Sequence, residues 1–106
     1  MRKLMIKLLN IYAEYKIKKK YLMSISQSSK VEYRKIQFRN NFKSALYIDN
    51  NSMIESSIVF EKDGSNITIG CNTFIGGALI SCARNIQIGN NVQIAWGVII
   101  MDHNSH

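Results

Sequence analysis

Hydrophobic side chains near the start of the chain recur every three or four residues, at Leu4, Leu8, Tyr12 and Tyr15, with Met5 and Leu9 beside them. Polar side chains fall on the opposite side of the same helical wheel, at Lys3, Lys7, Asn10 and Glu14. This spacing predicts an amphipathic helix over roughly residues 2–22, which runs into three consecutive lysines at positions 18–20.

Two interpretations of this helix stay open. The pattern favours a helix packed on its own domain or on a partner subunit, with its lysines in solvent, because amphipathicity is typical of soluble helices. The alternative is a membrane-surface helix, with apolar side chains in the headgroup layer and lysines on anionic lipid. Peripheral membrane contact through residues 1–43 is therefore kept as a hypothesis.

The pattern changes after this helix. Polar residues 24–29 predict a loop, and a loose alternation over residues 31–38 predicts a short strand or extended segment. Further on, residues 66–75 align with residues 85–94 at an offset of 19, with six identical positions, and Ile80 then matches Ile99. Repeats near this length are typical of solenoids.

A shorter period of six residues runs inside this repeat. Each unit begins with an aliphatic residue, and the units start at Ile48, Ile54, Ile69, Ile75, Ile88 and Ile94. We expect each aliphatic side chain to point inward from a short flat face, with Gly or Ala easing the bend and Asn taking a left-handed corner. Three faces make one triangular coil, and stacked coils bury columns of Ile and Val. Residues 61–65 interrupt the period and predict a loop projecting from a corner.

This pattern resembles the hexapeptide-repeat acyltransferases over about residues 47–106. The ending Trp96-Gly97-Val98-x-Ile100-x-Asp102-His103-x-x-His106 is similar to the sugar O-acetyltransferases of polysaccharide biosynthesis. The resemblance implies a mainly β fold, a left-handed parallel β-helix preceded by the basic amphipathic helix. The change of pattern and charge divides the chain into residues 1–43, a basic helix and extended segment, and residues 44–106, a set of coils that we expect to be incomplete at its C-terminus.

The resemblance implies an acyl-CoA-dependent O-acetyltransferase, which moves an acetyl group from acetyl-CoA to a hydroxyl of a saccharide or saccharide precursor. Such a transfer needs a general base, and histidine suits this role because its ordinary pKa is about 6.5. By position in the ending, His106 is the first candidate for the base and His103 is the second. Asp102, Trp96 and Asn85 are the candidate acceptor-binding residues.

Each candidate has a structural alternative. A histidine near a chain end is often inert, Trp96 could cap a coil or fill a subunit contact, and Asp102 and Asn85 favour turns. The resemblance also implies a homotrimer, with active sites between subunits, and further coils after the histidine, so we expect this chain to be the front part of an acetyltransferase. The competing functions are a non-catalytic solenoid remnant or scaffold and a serine or amino-sugar acetyltransferase.

Composition excludes several classes of protein. Of the 106 residues, 46% are apolar and 20% are charged, as in globular chains. Cys71 and Cys82 are too few for a disulfide scaffold and have no nearby partners for a zinc site, so no metal is expected. No transmembrane-length run or signal cleavage site follows the basic start, which predicts a cytoplasmic protein, associated at most with the cytoplasmic face of a membrane.

Positive charge is concentrated at the front of the chain. Residues 1–43 hold twelve Lys and Arg residues against Glu14 and Glu32, a net charge of +10, whereas residues 44–106 carry a net charge of −3. A uniformly basic nucleic-acid-binding domain does not have this distribution, so no nucleic acid partner is expected. The basic front alone could still contact an anionic surface.

Overall fold

The structure, a computed structural model, describes residues 2–39 and 43–103. It begins with one helix, α1 (Arg2–Lys20), which confirms the predicted helix. Twelve short strands follow: β1 (Leu22–Ile25), β2 (Lys30–Val31), β3 (Ile36–Phe38), β4 (Ala45–Ile48), β5 (Met53–Ile54), β6 (Ser57–Phe60), β7 (Asn66–Ile69), β8 (Phe74–Ile75), β9 (Leu79–Cys82), β10 (Asn85–Ile88), β11 (Gln93–Ile94) and β12 (Ile99–Met101). A 3-10 turn, Tyr33–Lys35, precedes β3.

Every third strand joins the same sheet. The first sheet has the order β1-β4-β7-β10, the second β11-β8-β5-β2 and the third β12-β9-β6-β3, and all pairs are parallel. Three successive strands therefore make one coil of a triangular solenoid, and the described residues form four coils. This is the left-handed parallel β-helix that the sequence predicts.

The core is a set of aliphatic columns that run along the solenoid axis. In the first sheet Ile48 pairs with Ile69, and in the second Ile54 pairs with Ile75. All four side chains are at most 3% exposed. The six-residue period is confirmed at these positions, and each buried isoleucine contributes about 1.5–3 kcal/mol relative to an exposed one.

One corner of the solenoid has the same backbone conformation in three successive coils. Asn51, Asn72 and Asn91 have φ angles of 58°, 54° and 58°, in the left-handed region. Asparagine tolerates this conformation better than other residues with a side chain, apart from aspartate, because its short amide bonds locally to the backbone. The predicted left-handed corner is therefore present and falls on asparagine each time.

The solenoid starts earlier than the sequence pattern placed it. β1 pairs with β4, β2 with β5 and β3 with β6, so the first coil begins at Leu22 and not at residue 44. The sequence repeat does not reveal this coil, because its strands have only two to four residues and lie 22 or 23 positions before their partners, whereas the visible repeat has an offset of 19. The loop predicted over residues 24–29 overlaps the end of β1.

The register of the third sheet also differs from the prediction. Ile80 pairs with Ile100, and Ile99 pairs with Leu79, so the predicted match of Ile80 with Ile99 is wrong by one position. The corner before β12 holds one more residue than the corner before β9. Gly97 takes up the extra length with a φ of 88°, a conformation that glycine adopts without steric cost.

α1 packs on the solenoid through an unexpected side. Ile17 is its one buried side chain among those described, and Ala13 also packs against the core. One turn nearer the helix N-terminus, the amide of Asn10 donates to the Val31 carbonyl at 3.2 Å and accepts from the Arg34 N–H at 3.3 Å. The helix therefore contacts its own domain, as favoured, but through the side that carries Asn10 instead of the predicted apolar side.

Candidate functional site

A ladder of four polar side chains runs across the outside of the third sheet, one from each coil. Arg39 Nη1 lies 3.3 Å from Glu61 Oε1, and Ser81 Oγ donates to Glu61 Oε2 at 2.7 Å. His103 Nε2 lies 2.9 Å from the same Ser81 Oγ. The ladder thus connects the second candidate base from the sequence to a carboxylate two coils away.

The register of the third sheet places Ser81 among its outward-facing side chains. Gln37, Val59, Ser81 and Met101 are in register across its four strands. Side chains alternate between the two faces of a strand, so Ser81 points outward while its neighbours Ile80 and Cys82 are fully buried. Ser81 is nevertheless only 4% exposed. Its hydroxyl is therefore largely shielded from water, and its hydrogen bonds to the ladder satisfy it.

The ladder determines which ring nitrogen of His103 holds the proton in the neutral imidazole. A carboxylate only accepts hydrogen bonds, so the single hydroxyl proton of Ser81 is directed to Glu61. The Ser81 oxygen then accepts a hydrogen bond from Nε2–H of His103, and Nδ1 holds the free lone pair. This tautomer, assigned from the hydrogen-bond network, gives the ring a defined basic atom.

A shallow cavity of about 500 Å³ lies over the ladder. Its lining comes from outward side chains of all four coils: Gln37, Arg39, Ser57, Val59, Glu61, Leu79, Ser81, Met101 and His103. The lining combines an ion pair, hydroxyl groups and a few aliphatic groups. It offers both donors and acceptors for hydrogen bonds to a polar small molecule.

Asp102 links the fourth coil to the corner that follows β9 in the third coil. Its carboxylate accepts hydrogen bonds from the backbone N–H groups of Ala83, Arg84 and Asn85 at 2.7–2.8 Å. Partial burial tends to raise the pKa of this carboxyl, but the three N–H donors outweigh it and leave the pKa below its ordinary value. The structure thus brings Asp102 and Asn85 together in the turn-forming arrangement, and their contact with an acceptor stays a prediction.

Trp96 lies at the other end of β12, in the corner that joins the second and third sheets. Its indole is 84% exposed and lies against Gly77 of the preceding coil. Because β12 separates Trp96 from Asp102 and His103, one chain does not bring the tryptophan to the ladder. The predicted corner position of Trp96 is confirmed, and its role in binding stays a prediction.

The two histidines differ in what the structure describes. His106, the first candidate for the base, lies outside the described residues. His103 is half-buried, with Nε2 at the end of the ladder. The geometry therefore gives a local argument for His103 as a positioned base.

Three members of the ladder were not recognised from the sequence. Arg39 falls before the predicted coils, Glu61 falls in the predicted loop, and no motif in the sequence singles out Ser81. The ladder positions are separated by 22, 20 and 22 residues, whereas the paired strands of the third sheet are offset by 22, 22 and 20 residues. Ser81 is in register with Val59 and Met101, so it meets Glu61 and His103 diagonally, two positions further along their chains. Neither the 19-residue repeat nor the strand register alone therefore reveals these contacts.

Two other kinds of feature are absent from the described ranges. Within residues 2–39 and 43–103, no three His, Cys, Asp or Glu side chains are grouped so that they could hold a metal ion. Over the same ranges, no helix combines the length and the hydropathy needed to cross a bilayer.

Comparison with family models, with curated proteins and with solved structures gives no match for this chain.

Proposed function

We propose that this chain is an acyl-CoA-dependent O-acetyltransferase that transfers an acetyl group from acetyl-CoA to a hydroxyl of a saccharide or saccharide precursor. The observation that carries the proposal is the contact of His103 Nε2 with Ser81, which is itself hydrogen-bonded to Glu61. The hexapeptide period and the ending from Trp96 to His106 supply the resemblance on which the choice of reaction depends. The proposal places His103 before His106 as the base, which reverses their order in the sequence analysis.

In the proposed reaction the acceptor hydroxyl gives its proton to Nδ1 of His103 as its oxygen attacks the thioester carbonyl carbon. The C–S bond of the tetrahedral intermediate then breaks, and the departing coenzyme A sulfur takes the proton from Nδ1–H. The imidazolium that exists between these steps is stabilised through Ser81 by the Glu61 carboxylate. Arg39 and Glu61 do not touch the reacting atoms in this scheme, so they are positioning residues.

The proposal includes the homotrimer that the resemblance implies, with sites between subunits. Trp96 and His103 lie at opposite ends of β12 in one chain, so a shared site would need each residue from a different subunit. A site between neighbouring subunits would allow Trp96 of one subunit to meet His103 of the next. Mixing inactive Trp96→Ala chains with inactive His103→Ala chains would then restore part of the activity, since some interfaces would carry both wild-type residues. If the mixture stays inactive, Trp96 and His103 do not come from neighbouring subunits to one shared site, and the intersubunit arrangement is wrong.

The function is tested by release of free coenzyme A thiol from acetyl-CoA, with a panel of monosaccharides, serine and glucosamine as acceptors. Loss of the general base in His103→Ala is expected to lower the rate by about 10²–10⁴-fold. His106→Ala is the competing variant, and Thr68→Ala, an exposed change on the first sheet, is the matched control. Activity that survives His103→Ala but not His106→Ala would make His103 the wrong base.

The ladder has its own test within this assay. Glu61→Gln keeps hydrogen-bonding capacity but removes the charge that stabilises the imidazolium. We expect kcat to fall while the KM values for acetyl-CoA and acceptor stay close to the wild-type values, because the charge acts on the imidazolium and not on bound substrate. An unchanged kcat, or a KM that rises while kcat is unchanged, would contradict this role for Glu61. If no acceptor releases thiol and acetyl-CoA does not bind, the non-catalytic scaffold is the better interpretation.

A further inference from the structure

One side of α1 is apolar and points away from the solenoid. Seven large hydrophobic side chains on this side are each 53–65% exposed: Leu4, Met5, Leu8, Leu9, Ile11, Tyr12 and Tyr15. At 100° per residue they cover one continuous side of the helix. We call this set the outward face of α1.

The outward face is not needed to attach the helix to its own domain. Attachment uses Ile17 and the hydrogen bonds of Asn10 on the opposite side. A surface helix normally turns its apolar side toward the core, and α1 does the reverse. A contiguous exposed apolar patch of this kind marks an interaction surface.

The charge of the helix indicates what the partner is. α1 carries seven Lys and Arg residues and one acidic residue, Glu14, which pairs with Lys18 at 2.9 Å. Two of these seven basic residues, Lys16 and Lys19, lie at the outward face itself. Lys16 Nζ is 5.1 Å from the centre of the Tyr12 ring, and Lys19 Nζ is 5.0 Å from the centre of the Tyr15 ring. Ammonium groups over aromatic rings beside an aliphatic surface are the arrangement of side chains at a lipid headgroup layer.

We propose that the outward face of α1 binds the surface of an anionic phospholipid bilayer. Leu4, Leu8 and their apolar neighbours enter the boundary between headgroups and acyl chains, the tyrosines lie at headgroup level, and the lysines contact lipid phosphates and carboxylates. A second copy of the chain is a poorer partner, because pairing two outward faces would bring together two helices that each carry a net charge of +6. A nucleic acid would satisfy the lysines but leave the apolar side chains in water.

The test is sedimentation of the full chain with vesicles of phosphatidylcholine, prepared with and without phosphatidylserine. We expect binding that requires phosphatidylserine and weakens as salt is raised. The double variant Leu4→Gln/Leu8→Gln should lower the partition coefficient by at least about tenfold, because two leucines no longer enter the lipid. The matched control Tyr47→Gln/Phe74→Gln also removes two exposed apolar side chains, but from the solenoid, and should bind like the wild type.

Three results would overturn the proposal. The first is no binding to vesicles that contain phosphatidylserine. The second is vesicle binding that Leu4→Gln/Leu8→Gln leaves unchanged, since charge alone or another surface would then be responsible. The third is oligomerisation that this variant abolishes while vesicle binding persists, which would assign the outward face to a second copy. The proposal does not depend on acetyl transfer, so the vesicle assay and the thiol assay can fail independently.

Discussion

The indole of Trp96 lies so close to Gly77 that a Cβ on Gly77 would fall 2.5 Å from its Cδ1 atom. We therefore predict that Gly77→Ala displaces the indole from the preceding coil. The exposed ring can move without disturbing the core, so the free energy of unfolding should change by less than about 0.5 kcal/mol. Trp96 is the single tryptophan of the sequence, so its emission and its quenching by acrylamide report the displacement directly.

Gly76→Ala is the control for this change. A Cβ on Gly76 would meet its nearest neighbour, the Ile94 carbonyl oxygen, at an ordinary 3.5 Å. We expect its tryptophan emission to match that of the wild type. Equal emission from both variants would mean that Gly77 does not determine the position of the indole.

Gly70 and Gly89 occupy paired positions in successive coils but differ in the space around them. A Cβ on Gly70 would lie 2.1 Å from Asn90 Oδ1 and 2.7 Å from the carbonyl carbon of Gly89. Asn90 Oδ1 also accepts a hydrogen bond from the Cys71 N–H at 2.8 Å, so moving it breaks that bond. We expect Gly70→Ala to lower the free energy of unfolding by about 1–3 kcal/mol in urea titrations.

Gly89→Ala provides the matched comparison, because no atom lies within 4 Å of its added Cβ. This variant should be neutral or more stable by up to about 1 kcal/mol, since alanine restricts the unfolded chain more than glycine does. Equal destabilisation by the two substitutions would contradict the tight contact at Gly70.

Asp102 should contribute stability that depends on pH. Three backbone N–H groups hold the pKa of its carboxyl below the ordinary value, although partial burial opposes this. Because the pKa is lower in the folded state, the contribution is present above the unfolded pKa of about 3.8 and disappears as pH falls through the folded value. Asp102→Asn should therefore cost about 1 kcal/mol at pH 7 and progressively less below pH 3.8. Urea titrations across this pH range measure the difference, and a constant gap between the proteins would refute the linkage.

The two cysteines should differ in reactivity. Burial, followed by the nearby charge of Asp102, raises the pKa of the Cys82 thiol to about 11, and its side chain is fully buried. Cys71 is partly exposed. With a disulfide reagent at pH 8 we expect one fast equivalent from Cys71, and a second only on unfolding, since the thiolate is the reactive species. Cys71→Ser should remove the fast phase. Fast labelling that persists in this variant would show that Cys82 is accessible.

The sequence predicts those parts of the fold that depend on local pattern. The inward positions from Ile48 to Ile94 and the asparagine corners were visible because each coil repeats the same steric requirement at nearly the same spacing. The coil formed by β1 to β3 was not, since its spacing to the next coil is longer by about four residues. Side-chain contacts between coils depend on the cumulative register. Thus His103 was a candidate from its motif, whereas its contact with Ser81 required the structure.

The outward side of α1 shows the same limit in another form. Periodicity identified which residues share a face of the helix, but not which face contacts the solenoid. The side that contacts the solenoid carries Asn10, whose amide meets two backbone groups of the first coil, together with Ile17 and Ala13, which pack on the core. Contacts with the first coil thus accompany an apolar stripe that faces away from the solenoid.

The ladder from Arg39 to His103 also limits how this solenoid can change by gain or loss of coils. Backbone pairing alone is modular, since excising one coil would leave parallel strands that can rejoin in the same columns. Removal of the second coil, however, would place Arg39 next to Ser81 and eliminate Glu61. Each coil contributes a side chain of different chemistry to the ladder, so the coils are interchangeable as structural units but not as members of this hydrogen-bonded series.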